Sequence, residues 1–466
     1  MERNVVVICL DSVRKDYFDQ HAPRLRHAAD LVYEQCRAAS SWSVPSHASM
    51  LTGTLPSEHG VHTYNRDFTA LDRSETWLEA TGHDTVAVSA NLYASSKFGF
   101  DTLFDEMIEV SRHHRYADGL NVRNFYYASD ADGAQMYAKF FQAALSHNNP
   151  IKSLANGVLA RLKTFTESHG VSDLIDDGAT AVYREAKVAL RERDIPTMMF
   201  INVMDAHLPL KPFVGYSRLE HSVPWGWTTS DTDLWAVIEN PSDHETYIRN
   251  LRELYSCVIH YLDRKTLNFI RDIERITERE TTVIVTADHG ENLGYESEGR
   301  LVGHKSSMSE GLLHVPFMIF NAPSTGATEQ YLSHLRLGDY VTKMSNGKLP
   351  DLTESAISAE LIGMGGGSDP PSNMETSYWN RMIRCLYNGN TKFEWDSLGN
   401  ATRYRLNESA DMQQNEHEPF SPPPELASKF FSDNIETCKR QSREGSAVED
   451  SVGEATAERL ADLGYM

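Results

Sequence analysis

Five short apolar runs recur along the chain, with longer amphipathic or polar stretches between them. Continuous apolar runs of this length are typical of strands that are buried on both faces, and the stretches between them have helical character. This alternation predicts an α/β fold, a mostly parallel sheet sandwiched by helices. We expect its strands at Asn4–Leu10, Asp84–Ser89, Met198–Val203, Val283–Thr286 and Val315–Phe320.

The pattern changes in the middle of the chain and again near its end. From about 113 to 177 aromatic residues are frequent and strand signals are weak, which predicts a helical insertion. Thr391–Trp395 and Arg403–Leu406 predict a hairpin, and the glycine-rich run Gly363–Pro371 before it is expected to be a flexible connection. We therefore predict a large α/β domain at 1–330, a small C-terminal α+β subdomain at 331–440 and a tail at 441–466, with loops at 420–424 and 440–449.

Polar residues with possible chemical roles come directly after two of the apolar runs. Asp11 comes directly after the first run, and Asp288 and His289 follow the run that begins at Thr281. Because ligands gather beyond the carboxyl ends of parallel strands, these side chains are expected at one edge of the sheet. Alone, either motif is equally well explained by a helix cap or a surface turn.

A serine precedes a proline at the start of a predicted helix, in Trp42–Gly53. Pro45 suits the first helical position, and the unpaired N–H groups and dipole of that first turn attract sulfate or phosphate. Ser43 would face such an anion as a nucleophile, although an ordinary capping serine has the same pattern. Together with the strand-end residues it completes a set of oxygen ligands and one imidazole, which suits one divalent cation, Ca²⁺, Mg²⁺ or Mn²⁺. The proposed ligands are Asp11, Ser43, Asp288 and His289.

The order and spacing of these motifs resemble the sulfatase family of the alkaline phosphatase superfamily. Its signature is Cys or Ser, any residue, Pro, Ser, Arg and then a helix that ends in Thr-Gly, and Ser43–His47 with Thr52-Gly53 is similar. Asp11 and Asp288-His289-Gly290 match its metal-binding motifs. The resemblance implies an alkaline phosphatase-like fold and hydrolysis of an anionic ester.

The resemblance also implies roles for residues outside the predicted metal site. His207 matches the histidine that contacts the ester group. Lys305 matches the lysine that touches the substrate oxyanion, with His304 as a competing candidate.

The chain departs from the family pattern at several positions. Ser12 stands where the family has a second aspartate, and the family's Gly-Lys pair is absent near Val88–Tyr93. His47 replaces the signature arginine and is retained among the catalytic candidates. Ser43 replaces the cysteine that is usually oxidised to formylglycine, and without the arginine this modification is not expected. An unmodified serine suits phosphoryl transfer, because water can hydrolyse a phosphoserine intermediate.

Three functions therefore remain open at the level of sequence. The first is a metal-dependent sulfatase-family hydrolase that cleaves sulfate esters through the residue at position 43. The second is a phosphoester hydrolase or phosphotransferase that uses unmodified Ser43. The third is a catalytically weak binding protein on the same fold. In each case the ligand would be a small-molecule or glycan sulfate or phosphate ester.

The composition limits the kinds of binding partner and the cellular location that we expect. The chain has 466 residues, with 66 acidic against 44 basic ones, and its net charge of −22 argues against nucleic-acid binding. Such acidity fits either a high-salt habitat or ordinary solubility. The five cysteines are scattered and predict neither a disulfide framework nor a CxxC metal site, and Cys9 is expected to be a small core residue. The first strand begins too early for a cleaved leader and no apolar run is long enough for a membrane span, so a cytoplasmic protein is predicted.

Overall fold

A central eight-stranded sheet and a smaller five-stranded sheet organise the protein. The computed structural model describes residues 2–444 apart from 81, 112–113, 170, 217–220, 367–368, 407–413 and 420–424. The loop predicted at 420–424 and most of the predicted tail at 441–466 lie outside these residues. The large sheet has mostly parallel strands with helices packed around it, which confirms the predicted α/β class.

The strands alternate with helices through the first two thirds of the chain. In chain order the strands are β1 (Asn4–Leu10), β2 (Leu31–Arg37), β3 (Asp84–Ser89), β4 (Glu106–Glu109), β5 (Thr197–Val203), β6 (Thr281–Thr286), β7 (Asn292–Leu293), β8 (Val302–Gly303), β9 (Phe317–Phe320), β10 (Gly326–Ser333), β11 (Ala356–Ile362), β12 (Met382–Asn388), β13 (Thr391–Asp396), β14 (Ala401–Leu406) and β15 (Gln414–Pro419).

The helices range from single turns to one element of 32 residues. They are α1 (Lys15–His21), α2 (Pro23–Ala28), α3 (Ser43–Thr52), α4 (Pro56–His59), α5 (Trp77–Ala80), α6 (Val122–Tyr127), α7 (Gly133–Ser146), α8 (Pro150–Ser168), α9 (Ala179–Arg191), α10 (Leu234–Glu239), α11 (Glu245–Ile276), α12 (Glu310–Leu313), α13 (Leu337–Met344), α14 (Thr376–Trp379) and α15 (Ile435–Glu444). None of these described helices combines the length and the apolarity that a membrane crossing requires.

The strand order of the large sheet is β10-β2-β9-β6-β1-β5-β3-β4, with β1 near its centre. β1 pairs in parallel with β5 and β6, and every residue of all three strands is buried. Those strands were predicted because a strand covered on both faces has no polar alternation. β2, β4 and β10 were not predicted, because they are only partly buried and their apolar pattern is broken. β9 starts at Phe317, two residues later than predicted, and runs antiparallel to β6 and β2.

The C-terminal sheet is antiparallel, in the order β11-β12-β13-β14-β15. The predicted hairpin corresponds to β13 and β14, and the predicted helical insertion contains α6, α7 and α8. Two expectations were wrong. Gly363–Pro371 is not simply a flexible connection, because Met364 is buried and its carbonyl accepts a 2.8 Å hydrogen bond from the Ser306 N–H. The segment expected to be loop from 440 is helical as far as Glu444, in α15.

Candidate active site

Asp11 lies at the carboxyl end of β1, where its N–H still donates to the Val203 carbonyl of β5 at 3.0 Å. Its side chain is fully buried, and two of its hydrogen-bond donors come from Ser12 and Asn91. Oδ1 accepts a 2.9 Å hydrogen bond from the Ser12 hydroxyl, and Oδ2 accepts a 2.8 Å hydrogen bond from the Asn91 amide. Ser12, which stands in place of a second aspartate, therefore orients the first one.

Asp288 and His289 follow β6, the neighbour of β1 on the other side. Oδ1 of Asp288 accepts hydrogen bonds from the backbone N–H groups of Ser12 at 3.2 Å and of His289 at 2.9 Å. The Nδ1 atom of His289 lies 2.7 Å from the Gly290 carbonyl oxygen, so it carries the proton and donates. The lone pair of Nε2 is thereby left for a ligand.

Ser43 is the first residue of α3, so the helix begins two residues before the predicted position and Pro45 is its third residue. The N-cap residue of the helix is therefore Trp42, and Ser43 does not occupy the capping position. Oγ instead lies 3.2 Å from Asp11 Oδ2 and 3.3 Å from His289 Nε2. The structure therefore brings together the four residues that the sequence placed in one site. We call Asp11, Ser43, Asp288 and His289 the cation half of the site.

This donor set fits a divalent cation. Ligand atoms of Asp11, Asp288 and His289 all lie within 4.8 Å of one another, and the three side chains are fully buried. Oδ2 of Asp288 has no hydrogen-bond partner, which is costly for a buried carboxylate without a bound cation. Burial opposes a positive charge on His289, but the carboxylates of Asp288 and Asp11 outweigh it and raise the histidine pKa. The electrostatics of the pocket thus favour a positive charge.

His207 and His304 lie next to the cation half. The ring of His304 is 4.9 Å from that of His289 and 5.3 Å from that of His207, measured between centroids. Burial lowers the pKa of His207 to about 3 and that of His304 well below its usual value, so both imidazoles are neutral before an anion binds. His304 Nδ1 is 3.2 Å from Oε1 of Glu291, and burial raises the pKa of that carboxyl to about 8.

Lys305 follows His304 in the chain and contacts the segment that leads to the C-terminal sheet. Its ammonium group donates to the Gly366 carbonyl at 3.3 Å and lies 4.9 Å from the centre of the Trp235 ring. Burial, with a smaller contribution from the guanidinium of Arg66, lowers the pKa of Lys305 to about 8. We call the trio of basic side chains next to the cation half the ester half of the site; it comprises His207, His304 and Lys305.

His47 lies on α3, one turn beyond Ser43, and is fully buried. Its Nε2 atom is 3.1 Å from the Asn202 amide nitrogen and 3.6 Å from Asp288 Oδ2. Burial lowers the pKa of His47 to about 4, so the residue is neutral where the family signature has a permanent charge.

Sequence reasoning gave no role to Asn91, Glu291, Arg66 or Asn202, which the structure places at or beside the site. Asn91 lies in the stretch where the Gly-Lys pair was sought, two residues beyond β3. Its signal was the same as that of Asp11, a polar residue just after an apolar run. Glu291 was visible in Asp288-His289-Gly290-Glu291, whereas nothing in the local pattern marked Arg66 or Asn202.

Comparisons with known proteins agree on the fold. A phosphonate monoester hydrolase of Agrobacterium radiobacter superposes with a TM-score of 0.59 at 14% identity, over 99% of this chain and 95% of that one. The phosphonate monoester hydrolase of Silicibacter pomeroyi superposes with a TM-score of 0.55 at 14% identity, over 95% of this chain and 94% of that one. A protein solved with its substrate D-glucosamine-2-N,6-O-disulfate gives 0.55 at 12% identity, over 97% and 99%.

No curated protein sequence matches this chain. The sequence model of the Sulfatase family, in contrast, matches residues 3–343, which include every residue of the cation half and of the ester half. The chain belongs to the sulfatase family and, as a member of it, is an ester hydrolase.

Proposed function

We propose that Ser43 is the nucleophile of this hydrolase and that its activity depends on one divalent cation held by Asp11, Asp288 and His289. One observation carries the proposal. The Ser43 hydroxyl lies within 3.3 Å of both Asp11 Oδ2 and His289 Nε2, at the start of a helix and beyond the ends of the two central strands. A serine that serves only as a cap would bond to its own helix instead.

The reaction would proceed in two displacements. Ser43 Oγ attacks the phosphorus or sulfur atom, and its proton passes toward Asp11 Oδ2, the acceptor 3.2 Å away. The bond to the leaving oxygen breaks with its electron pair, and that oxygen takes up a proton from a solvent water molecule. Water then attacks the same central atom and releases the free anion and Ser43. A bound divalent cation would lower the pKa of the hydroxyl and offset charge on the attacked group.

The ester half would bind the anionic group. In resting His207, Nδ1 donates to the Leu208 carbonyl, so Nε2 must gain a proton before it can donate to an ester oxygen. A nearby dianion favours that protonation and opposes the effect of burial on the His207 pKa. Lys305 is charged below its pKa of about 8 and would stabilise the same oxygens. These contacts would hold the anionic group of the bound ester and so lower KM.

Phosphate is the better-supported ester if Ser43 is unmodified. Formylglycine can expel sulfate from a hemiacetal, and a plain serine lacks that route. His47 stands where the modification signature has arginine, which favours a serine that stays a serine. Structural neighbours act on phosphonate monoesters and on a sulfated glucosamine, so both ester classes and a glycan substrate remain candidates. The intact cluster of the cation half argues against a catalytically weak binding protein.

Two measurements test this proposal. Mass spectrometry of the peptide that contains Ser43 should give the mass of serine, and 4-nitrophenyl phosphate should be hydrolysed at least as fast as 4-nitrophenyl sulfate. The rates are compared with Mg²⁺, Mn²⁺ or Ca²⁺, at high and low salt. An aldehyde mass at position 43 together with a strong preference for sulfate would refute the unmodified-serine mechanism and support the formylglycine mechanism.

A further inference from the structure

A second cluster of potential metal ligands shares Asp288 with the cation half. It consists of Cys9 Sγ, His47 Nε2 and a carboxylate oxygen of Asp288, all within 4.8 Å of one another and all fully buried. We propose that these three residues bind a second divalent cation of the kind that prefers sulfur and nitrogen, such as Zn²⁺. The proposal shares Asp288 with the function proposed above but does not depend on which ester is hydrolysed.

The secondary structure explains why these side chains meet. Cys9 and Asn202 are register partners on the parallel strands β1 and β5, so their side chains stand next to each other on one face of the sheet. Asp288 follows β6 on the other side of β1, and His47 reaches this place from α3. Four separate elements thus deliver one polar side chain each to a place where apolar packing would be normal.

The distances are too long for good hydrogen bonds but suit a shared cation. His47 Nε2 lies 3.6 Å from Asp288 Oδ2 and 3.8 Å from Cys9 Sγ. The first distance is beyond hydrogen-bond range, and the second allows only a weak S–H contact. Tetrahedral zinc binds sulfur at about 2.3 Å and nitrogen or oxygen at about 2.0–2.2 Å, which puts neighbouring ligand atoms about 3.3–3.6 Å apart. A small inward movement would therefore complete the coordination.

Two unsatisfied polar atoms belong to the same cluster. Asp288 Oδ2 and Asn202 Oδ1 are both buried without a hydrogen-bond partner. Buried polar groups are nearly always paired, and a cation would satisfy both oxygens. The amide of Asn202 lies 3.1 Å from His47 Nε2 through its nitrogen, and a half-turn of that amide would present its oxygen as a fourth ligand.

A cation here would also change the electrostatics of the active site. When it binds, the Cys9 thiol gives its proton to the solvent and the thiolate forms the metal–sulfur bond. The cation would offset the charge of Asp288, at the place where His47 has replaced a permanently charged arginine. Asp288 would then be a residue common to both proposed sites.

Cobalt substitution tests the proposal without reference to activity. The full-length protein is stripped with a chelator and reconstituted with Co²⁺, and thiolate ligation is read from the near-ultraviolet sulfur-to-cobalt charge-transfer absorption. We expect this absorption in the wild type, and also in Cys36→Ala, a control in which an equally buried strand cysteine is removed. Cys9→Ala should lose it and bind one Co²⁺ fewer, whereas Asp11→Asn should keep it.

Two results would overturn the second site: no charge-transfer absorption in the reconstituted wild type, or its persistence in Cys9→Ala. If Cys9→Ala does not fold, X-ray absorption at the zinc edge of the wild type decides. One sulfur neighbour at about 2.3 Å is expected there, and a shell of only nitrogen and oxygen would refute the proposal. If the hydrolysis proposal fails, Ser43→Ala will show normal turnover. The Ser43→Ala substitution does not alter Cys9, so the charge-transfer absorption tests the second cation site separately.

Discussion

The two halves of the active site are built in different ways. The cation half stands on the ends of the central strands and on the first turn of α3, and its carboxylates are held by backbone N–H groups and by Ser12 and Asn91. The ester half comes from segments between regular elements, and Lys305 is held by the carbonyl of Gly366 and the ring of Trp235. A rigid sheet edge suits atoms that must hold fixed ligand distances, whereas loops allow one scaffold to accept different esters.

The difference leads to separable effects of mutation. Changes in the cation half should remove the nucleophile or the cation and so lower kcat. Changes in the ester half should leave the cation bound and weaken binding of the anionic group, which raises KM.

The largest effect is expected for Ser43→Ala. Removal of the nucleophile should lower kcat by at least about a thousandfold, as for nucleophiles in other hydrolases. The melting temperature should be almost unchanged, because the hydroxyl faces the site and supports no core contact. Ser46→Ala is the matched control, since that hydroxyl is equally buried on α3 but donates to the Ser40 carbonyl at 3.0 Å. Ser43→Ala with wild-type rates on the best ester would place the nucleophile elsewhere.

Asp288→Ala should have the next largest effect. Loss of this carboxylate leaves too few ligands, so bound cation measured by atomic emission should fall and turnover should drop by about a hundredfold or more. The control is Asp84→Asn, a carboxylate at the start of β3 that pairs with Arg193 and lies at the other end of the sheet. Full metal retention in Asp288→Ala would contradict the ligand assignment.

His207→Gln should separate the two halves. The side chain cannot become positively charged, so we expect kcat/KM to fall by about tenfold to a hundredfold. Its cation content should equal that of the wild type, because His207 is not one of the proposed ligands. Loss of cation from this variant would mean that the two halves are coupled rather than separate.

The smallest effect is a dependence of KM on pH. The Lys305 ammonium has a pKa of about 8, lowered by burial, so its charge is present below that pH and lost above it. KM for the anionic ester should therefore rise by about tenfold as the pH increases through 8, and Lys305→Met should show the raised KM at every pH. A profile with the same inflection in Lys305→Met would assign the titration to another group.

The amino-acid sequence determined the central strands and the cation half. Apolar runs predicted β1, β3, β5 and β6 closely, because strands covered on both faces lack a regular alternation of polar and apolar residues. Asp11, Asp288 and His289 could be placed beside one another because parallel strands end at a common edge. The start of α3 was misjudged by two residues, since the helix begins at Ser43 and local capping signals define helix ends poorly.

Only the tertiary structure decided which side chains surround the residues of the cation half. Asn91, Glu291 and Arg66 are distant in sequence from one another, and their place at the site depends on how loops cross the sheet edge. The buried contact between Met364 and Ser306 turned an expected flexible connection into part of the support for Lys305. The meeting of Cys9, His47 and Asp288 depends on strand register and on the packing of α3, which no local pattern encodes. Side chains that meet through long-range packing leave no periodic signal in the chain, and their chemistry emerges only when the sheet and its helices have assembled.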